Sequence, residues 1–177
     1  FFQANKNEYQ TVVSEKNDEV VAAYVAGRCD AFTTDASGLY AERLRMKSPD
    51  EHIVLPEIIS KEPLGPVVRQ GDSQWFTVVK WVYFAMLNAE ELGVTQANVD
   101  QMAASPNPEI KRLLGKEGDF GKGIGLDNDW VVKIIKAVGN YGESYERNVG
   151  EGSRLKIGRG LNKLWTQGGL QYAPPIR

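Results

Sequence analysis

The sequence predicts an α/β fold that gives way to helices, on three observations. Strand-like and helix-like segments alternate over the first sixty residues, a proline-rich connector follows, and the rest is dominated by helical apolar spacing.

Tyr9-Gln10-Thr11-Val12-Val13 reads as a strand. Asn17 caps the next helix, whose first turn carries Asp18 and Glu19, where the helix dipole favours negative charge. Val20, Val21, Tyr24 and Val25 give it one apolar face, and Gly27 ends it in the left-handed conformation a helix stop requires. Asp30-Ala31-Phe32-Thr33-Thr34 is a second strand, leading into Asp35-Ala36-Ser37-Gly38 and a helix to about Met46. Pro49-Asp50 turns the chain, and His52-Ile53-Val54-Leu55 is a third strand. The order implies a parallel sheet with short connections.

Pro56 to Pro66 holds three prolines and a glycine, so an extended connector is expected. Residues 72–92 then form one long amphipathic helix, capped by Asp72 or Ser73, with Trp75, Trp81, Tyr83 and Phe84 filling the core. Shorter helices are expected at about 98–103, 108–114, 128–138, 141–149 and 161–166, and the tail is coil. The change near residue 64 divides the chain into an α/β piece and a helical piece. The helical piece has no sheet of its own, so it is expected to pack on strands from sequence upstream. The opening Phe1-Phe2-Gln3 accords with excision from a longer polypeptide.

Composition excludes some functions. The chain is 42% hydrophobic and 25% charged with net charge −2, so no basic excess exists to neutralise nucleic-acid phosphates, and no nucleic-acid partner is expected. The apolar stretch from Trp75 to Leu87 is too short to span a bilayer and is broken by Lys80. The single cysteine, Cys29, is either a small buried hydrophobe or half of a disulfide whose partner lies outside this sequence.

One strand end carries chemistry. Ligands of open α/β sheets bind outside the carboxyl ends of the strands, and Asp35 sits there at a helix start. It could face a cationic ligand group, or it could cap the helix by bonding the amide of Gly38, which the spacing alone favours. Other candidates fall away. Gly121-Lys122-Gly123-Ile124-Gly125 lacks the Ser or Thr and the preceding strand of a phosphate loop. Asp127-Asn128-Asp129 lacks the glycine and final glutamate of a calcium loop and reads as an acidic helix cap. His52 is the only histidine and reads as half-exposed and structural, while Glu143 and Glu146 read as solvated. No metal site, cofactor or catalytic residue is expected.

The run Gly27-Arg28-Cys29-Asp30-Ala31-Phe32-Thr33-Thr34-Asp35-Ala36-Ser37-Gly38-Leu39 closely resembles the general L-amino-acid-binding proteins of polar amino acid ABC importers in Gram-negative bacteria. The likeness continues through Leu55–Pro66, Ala85–Gly93, Gly125–Trp130 and Gln171–Arg177. It implies a two-lobed periplasmic binding protein of type II. Residues 1–64 would be the later part of lobe 2, and residues 65–177 the C-terminal part of lobe 1 with a helical extension. It implies capture of L-amino acids, broadly polar ones, by hinge closure, with delivery to inner-membrane permease subunits and no enzymatic activity. It assigns substrate binding to Asp35, as acceptor for the ligand ammonium, and to Thr34. It places the carboxylate-binding groups, and a cysteine to pair with Cys29, in an N-terminal half absent from this chain. The alternative is an enzyme on the same fold, a periplasmic dehydratase or a transglycosylase-associated domain.

Overall fold

In the computed structural model, which describes every residue from Phe1 to Arg177, seven α-helices and four 3₁₀ turns carry the regular structure. The only β feature is an isolated bridge between Leu164 and Gln171. The chain divides into two units, Phe1–Leu64 and Gly65–Arg177.

The first unit is built on α1 (Asn17–Val25) and α2 (Ala36–Arg45). Asp18 and Glu19 lie in the first turn of α1, and Gly27 follows its end at φ +70°, as a left-handed stop should. Asn17 is the first helical residue rather than the cap. Its amide donates instead to Glu42 on α2 at 2.9 Å, and Arg45 closes on the same carboxylate at 3.0 Å. The core here is sparse: only Ala23 and Glu42 are buried.

The three expected strands at 9–13, 30–34 and 52–55 do not form a sheet. They are neither helical nor joined by ladder hydrogen bonds. A strand is completed only by backbone hydrogen bonds to a neighbour, and no such bond joins any of the three to another. Val12, Val13, Ile53 and Leu55 are accordingly exposed.

The second unit is dense. Asp72 caps α3 (Ser73–Glu91) by accepting the amide of Trp75 at 2.9 Å. The helix buries Ala85, Leu87 and Ala89, whereas Trp75 and Phe76 near its start are exposed rather than core-filling. Against its buried half pack α4 (Val99–Met102), α5 (Pro108–Leu113) and α6 (Trp130–Val138), with Val94, Leu114, Val131 and Ile135 fully enclosed. Helix α7 (Tyr141–Asn148) opens on a capping box in which Asn140 and Glu143 exchange hydrogen bonds. The helix expected at 161–166 is replaced by 3₁₀ turns at Gly160–Asn162 and Trp165–Gln167. Leu164 between them is extended (ψ 152°) and pairs with Gln171, which breaks the helical path.

One ion pair ties these elements together. Arg159 reaches Glu90 on α3 at 3.0 Å with both side chains 13% exposed, and its guanidinium lies 5.2 and 5.1 Å from the ring centres of Tyr141 and Tyr145 on α7. Gly142 makes the close approach possible, because a Cβ there would come within 2.9 Å of the Glu90 carboxyl and 3.0 Å of the guanidinium. Glu90→Gln should therefore cost about 3 kcal/mol, because it leaves a shielded guanidinium without its counter-charge. Urea denaturation of the variant measures this, and a loss under about 1 kcal/mol would show the pair to be dispensable.

Burial pushes the Tyr141 phenol up to about 12, helped by neighbouring Tyr83, and burial also raises Tyr83. Raised phenols favour the folded state while protonated. This stability is fully present below about pH 10, the ordinary phenol value, and is lost as pH climbs through about 12. Alkaline unfolding followed by circular dichroism should steepen in that window, and Tyr141→Phe should flatten it.

Candidate functional site

The local structure around Asp35 starts from three rings. Tyr24 on α1 stands 5.2 Å from Phe32 and 5.5 Å from His52, and its hydroxyl bonds His52 Nδ1 at 2.8 Å. His52 is half-buried and structural, as its strand position suggested. Phe32 lies three residues before Asp35, and Glu42 clamps α2 to α1 beyond it. The chain is thus held on both sides of the turn into α2.

Asp35 occupies the N-cap position of α2 with φ −54° and ψ 142°, half-buried. Its carboxylate does not bond the amide of Gly38, so the cap favoured by spacing is absent. The carboxylate has no hydrogen bond or ion pair at all. The helix dipole favours a negative group at this end, yet the acceptor capacity of the oxygens is unspent. Thr34 precedes it, exposed, with its hydroxyl unbonded. Gly38 gives Thr34 its room: a Cβ at 38 would meet the Thr34 methyl at 3.2 Å. The structure thus brings Asp35 and Thr34 together at one helix start as adjacent free acceptors. Of the arginines of α2, Arg45 is paired with Glu42, and Arg43 lies over the Tyr40 ring at 5.5 Å with its buried Nε unbonded. What the arrangement can do is receive a cationic group.

The other motifs are structural. Lys122–Ile124 form a 3₁₀ turn, and Gly121 is packed so that a Cβ would strike the Asp127 carbonyl. Asp129 occupies the N-cap position of α6, as expected, but its carboxylate makes no cap bond: Lys133 bridges Asp127 and Asp129 at 2.8 Å, and its hydrogen bond lowers the Asp127 carboxyl. Glu143 is not free in solvent, because it accepts the amides of Asn140 and Gln96. Glu146 accepts the amide of Glu151. No cluster of three His, Cys, Asp or Glu residues could hold a metal ion, and no helix is long and apolar enough to cross a membrane. Cys29 is a half-buried free thiol, and as the single cysteine it gives no support to the expected disulfide. The ring cluster and the Asn17–Glu42 clamp were missed in the sequence, although an aromatic on a helix face followed by one on a strand was a visible signal.

No protein-family model matches the chain. All of it aligns with the general L-amino acid-binding periplasmic protein AapJ of Rhizobium johnstonii, at 64% identity over 52% of that protein. The putative amino-acid ABC transporter-binding protein YhdW of Escherichia coli K12 is 57% identical over 52% of its length. The glutamate/glutamine/aspartate/asparagine-binding protein BztA of Rhodobacter capsulatus is 53% identical over 53% of its length. Among solved structures, an ABC transporter/periplasmic binding protein from Brucella ovis with glutathione bound superposes with a TM-score of 0.89 at 63% identity, covering 99% of this chain and 56% of that one. The resemblance to amino-acid-binding proteins of ABC importers therefore holds over the whole chain, which has the fold of part of a periplasmic binding protein and spans about half the length of the curated relatives it matches. Those relatives are binding components of transporters, and nothing favours the enzyme alternative.

Because Asp35 makes no cap bond, its replacement by Asn should leave stability within about 0.5 kcal/mol of wild type. Chemical denaturation checks this, and a loss above about 1 kcal/mol would mean that the side chain supports the helix after all.

Proposed function

We propose that this chain, homologous along its length to about half of an amino-acid-binding protein, works as part of a two-lobed periplasmic solute-binding protein of an ABC importer. Residues 1–64 form the later part of one lobe, and residues 65–177 complete the other with a helical extension. The protein captures L-amino acids by hinge closure and hands them to permease subunits in the inner membrane. The observation that carries this is the unspent Asp35 carboxylate, beside Thr34, at the start of α2. A free amino acid is a zwitterion, and enclosing it between lobes requires partners for both charges. Asp35 accepts hydrogen bonds from the ammonium and Thr34 extends that wall. The carboxylate is received by groups outside this chain.

The ligand range follows from the head group. Relatives are named for general L-amino acids and for glutamate, glutamine, aspartate and asparagine, and the Brucella ovis protein holds glutathione. These share one feature: the γ-linkage of glutathione leaves its glutamate with a free α-ammonium and α-carboxylate, as in a free amino acid. A site that reads this head accepts polar amino acids and γ-glutamyl compounds alike.

Calorimetric titration of the complete two-lobed protein tests the reading. Glutamate, glutamine and glutathione should bind. The isomer with an ordinary α-linked glutamate, whose α-carboxylate is consumed in the peptide bond, should bind at least about 100-fold more weakly, having lost its charge-assisted bonds. Asp35→Ala should weaken all of them by about 3 kcal/mol or more, since it strands an enclosed cation. Binding of glutamate within threefold of wild type would remove Asp35 from the site.

A further inference from the structure

Gly38 is the third residue of α2 and lies in its first turn. Its φ is not positive, so its backbone conformation is one that alanine adopts without strain. Glycine is among the poorest helix formers and alanine is the best. A glycine inside a helix with no conformational reason to be there needs another reason.

That reason is one side chain. A Cβ at position 38 would stand 3.2 Å from the Thr34 methyl and 3.8 Å from the Thr34 hydroxyl. Apart from the chain neighbours of Gly38 and its own helix backbone, nothing else lies within 4 Å. Both branches of Thr34 therefore reach over the space that a side chain would fill. Carbon atoms in favourable contact stand about 3.5–4.0 Å apart, so alanine would push the Thr34 methyl away. Methyl and hydroxyl share one Cβ and turn together among a few staggered positions, so each position that moves the methyl also carries the hydroxyl elsewhere. No hydrogen bond orients that hydroxyl, and the space left open at position 38 decides which orientations it has.

We propose that Gly38 is a positioning residue for amino-acid binding, an inference that rests on the ligand-binding reading above: the side chain it lacks leaves Thr34 the orientation in which its hydroxyl meets the ligand head group beside Asp35. Gly38 itself touches no ligand. It acts through Thr34 and leaves the charge pair alone, because the Asp35 side chain lies beyond 4 Å of the position a Cβ would take. The helix gives up propensity at this residue in exchange for a placed hydroxyl.

Calorimetric titration of the complete two-lobed protein with glutamate, alongside thermal melting, tests this. Gly38→Ala should weaken binding about fivefold, the worth of one neutral hydrogen bond, with a melting temperature no lower than wild type. Thr34→Ser removes the methyl and keeps the hydroxyl. In that background Gly38→Ala should change affinity less than about twofold, because nothing is left for the new Cβ to displace. Binding by Gly38→Ala within about twofold of wild type overturns the proposal. So does an equal loss in both backgrounds, which would set the added methyl against something other than Thr34. A lowered melting temperature in Gly38→Ala overturns it by making the glycine a packing requirement of α2. Asp35→Ala judges the ligand-binding reading separately: glutamate affinity within about threefold of wild type would sink that reading whatever Gly38 does.

Discussion

The second unit depends on the guanidinium of Arg159, shielded between two tyrosine rings and held by Glu90. A charge so enclosed loses hydration, and only a close carboxylate and the negative faces of aromatic rings offset that loss. The requirement fixes three separate pieces of chain at once: the end of α3 through Glu90, the first turns of α7 through Tyr141 and Tyr145, and the segment after α7 through Arg159 itself. It also explains Gly142, since any side chain there would push the pair apart. The apolar cluster of Val94, Leu114, Val131 and Ile135 supplies the larger share of burial, but burial is not directional. The ion pair sets which way α7 faces α3.

The first unit shows what happens where no such constraint closes a core. Its two helices are joined by polar contacts, Asn17 to Glu42 and Tyr24 to His52, and almost nothing between them is buried. The helices persist because their ends are well specified, with acids in the first turn of α1 and a left-handed Gly27 after it. Strands have no such local support. A helix satisfies its backbone within itself, whereas a strand needs its neighbour.

That difference decides what was legible in the sequence. The bounds of α2, α3, α5 and α7 follow closely from caps, glycines and apolar spacing, because each signal acts within a few residues. The segments 9–13, 30–34 and 52–55 have strand composition but no partner, and composition cannot state whether a partner exists. Residues 161–166 misled for a related reason: helical spacing of Leu161, Leu164 and Trp165 was overridden by the distant pairing of Leu164 with Gln171. The Glu90–Arg159 pair spans 69 positions and leaves no local trace at all.

Asp35 shows the same limit at the level of the site. Spacing favoured a cap, because aspartate is among the preferred residues for bonding an amide of a helix's first turn. The structure instead leaves that carboxylate unbonded while other helices in the same chain do use theirs, Asp72 on Trp75 and Asn140 on Glu143. A half-buried carboxylate without a partner gives up hydration for nothing unless something else is to meet it. An ammonium group provides that compensation only when water is excluded around the pair, since the Coulomb attraction of two charges at contact is worth about 1 kcal/mol in bulk water and several times more at a shielded surface. One wall cannot exclude water. The free carboxylate at the start of α2 is therefore the feature that most requires a facing wall, and the proposed two-lobed arrangement would supply one: in that proposal the energetic return from Asp35 comes at closure, when ligand and opposing lobe together desolvate it.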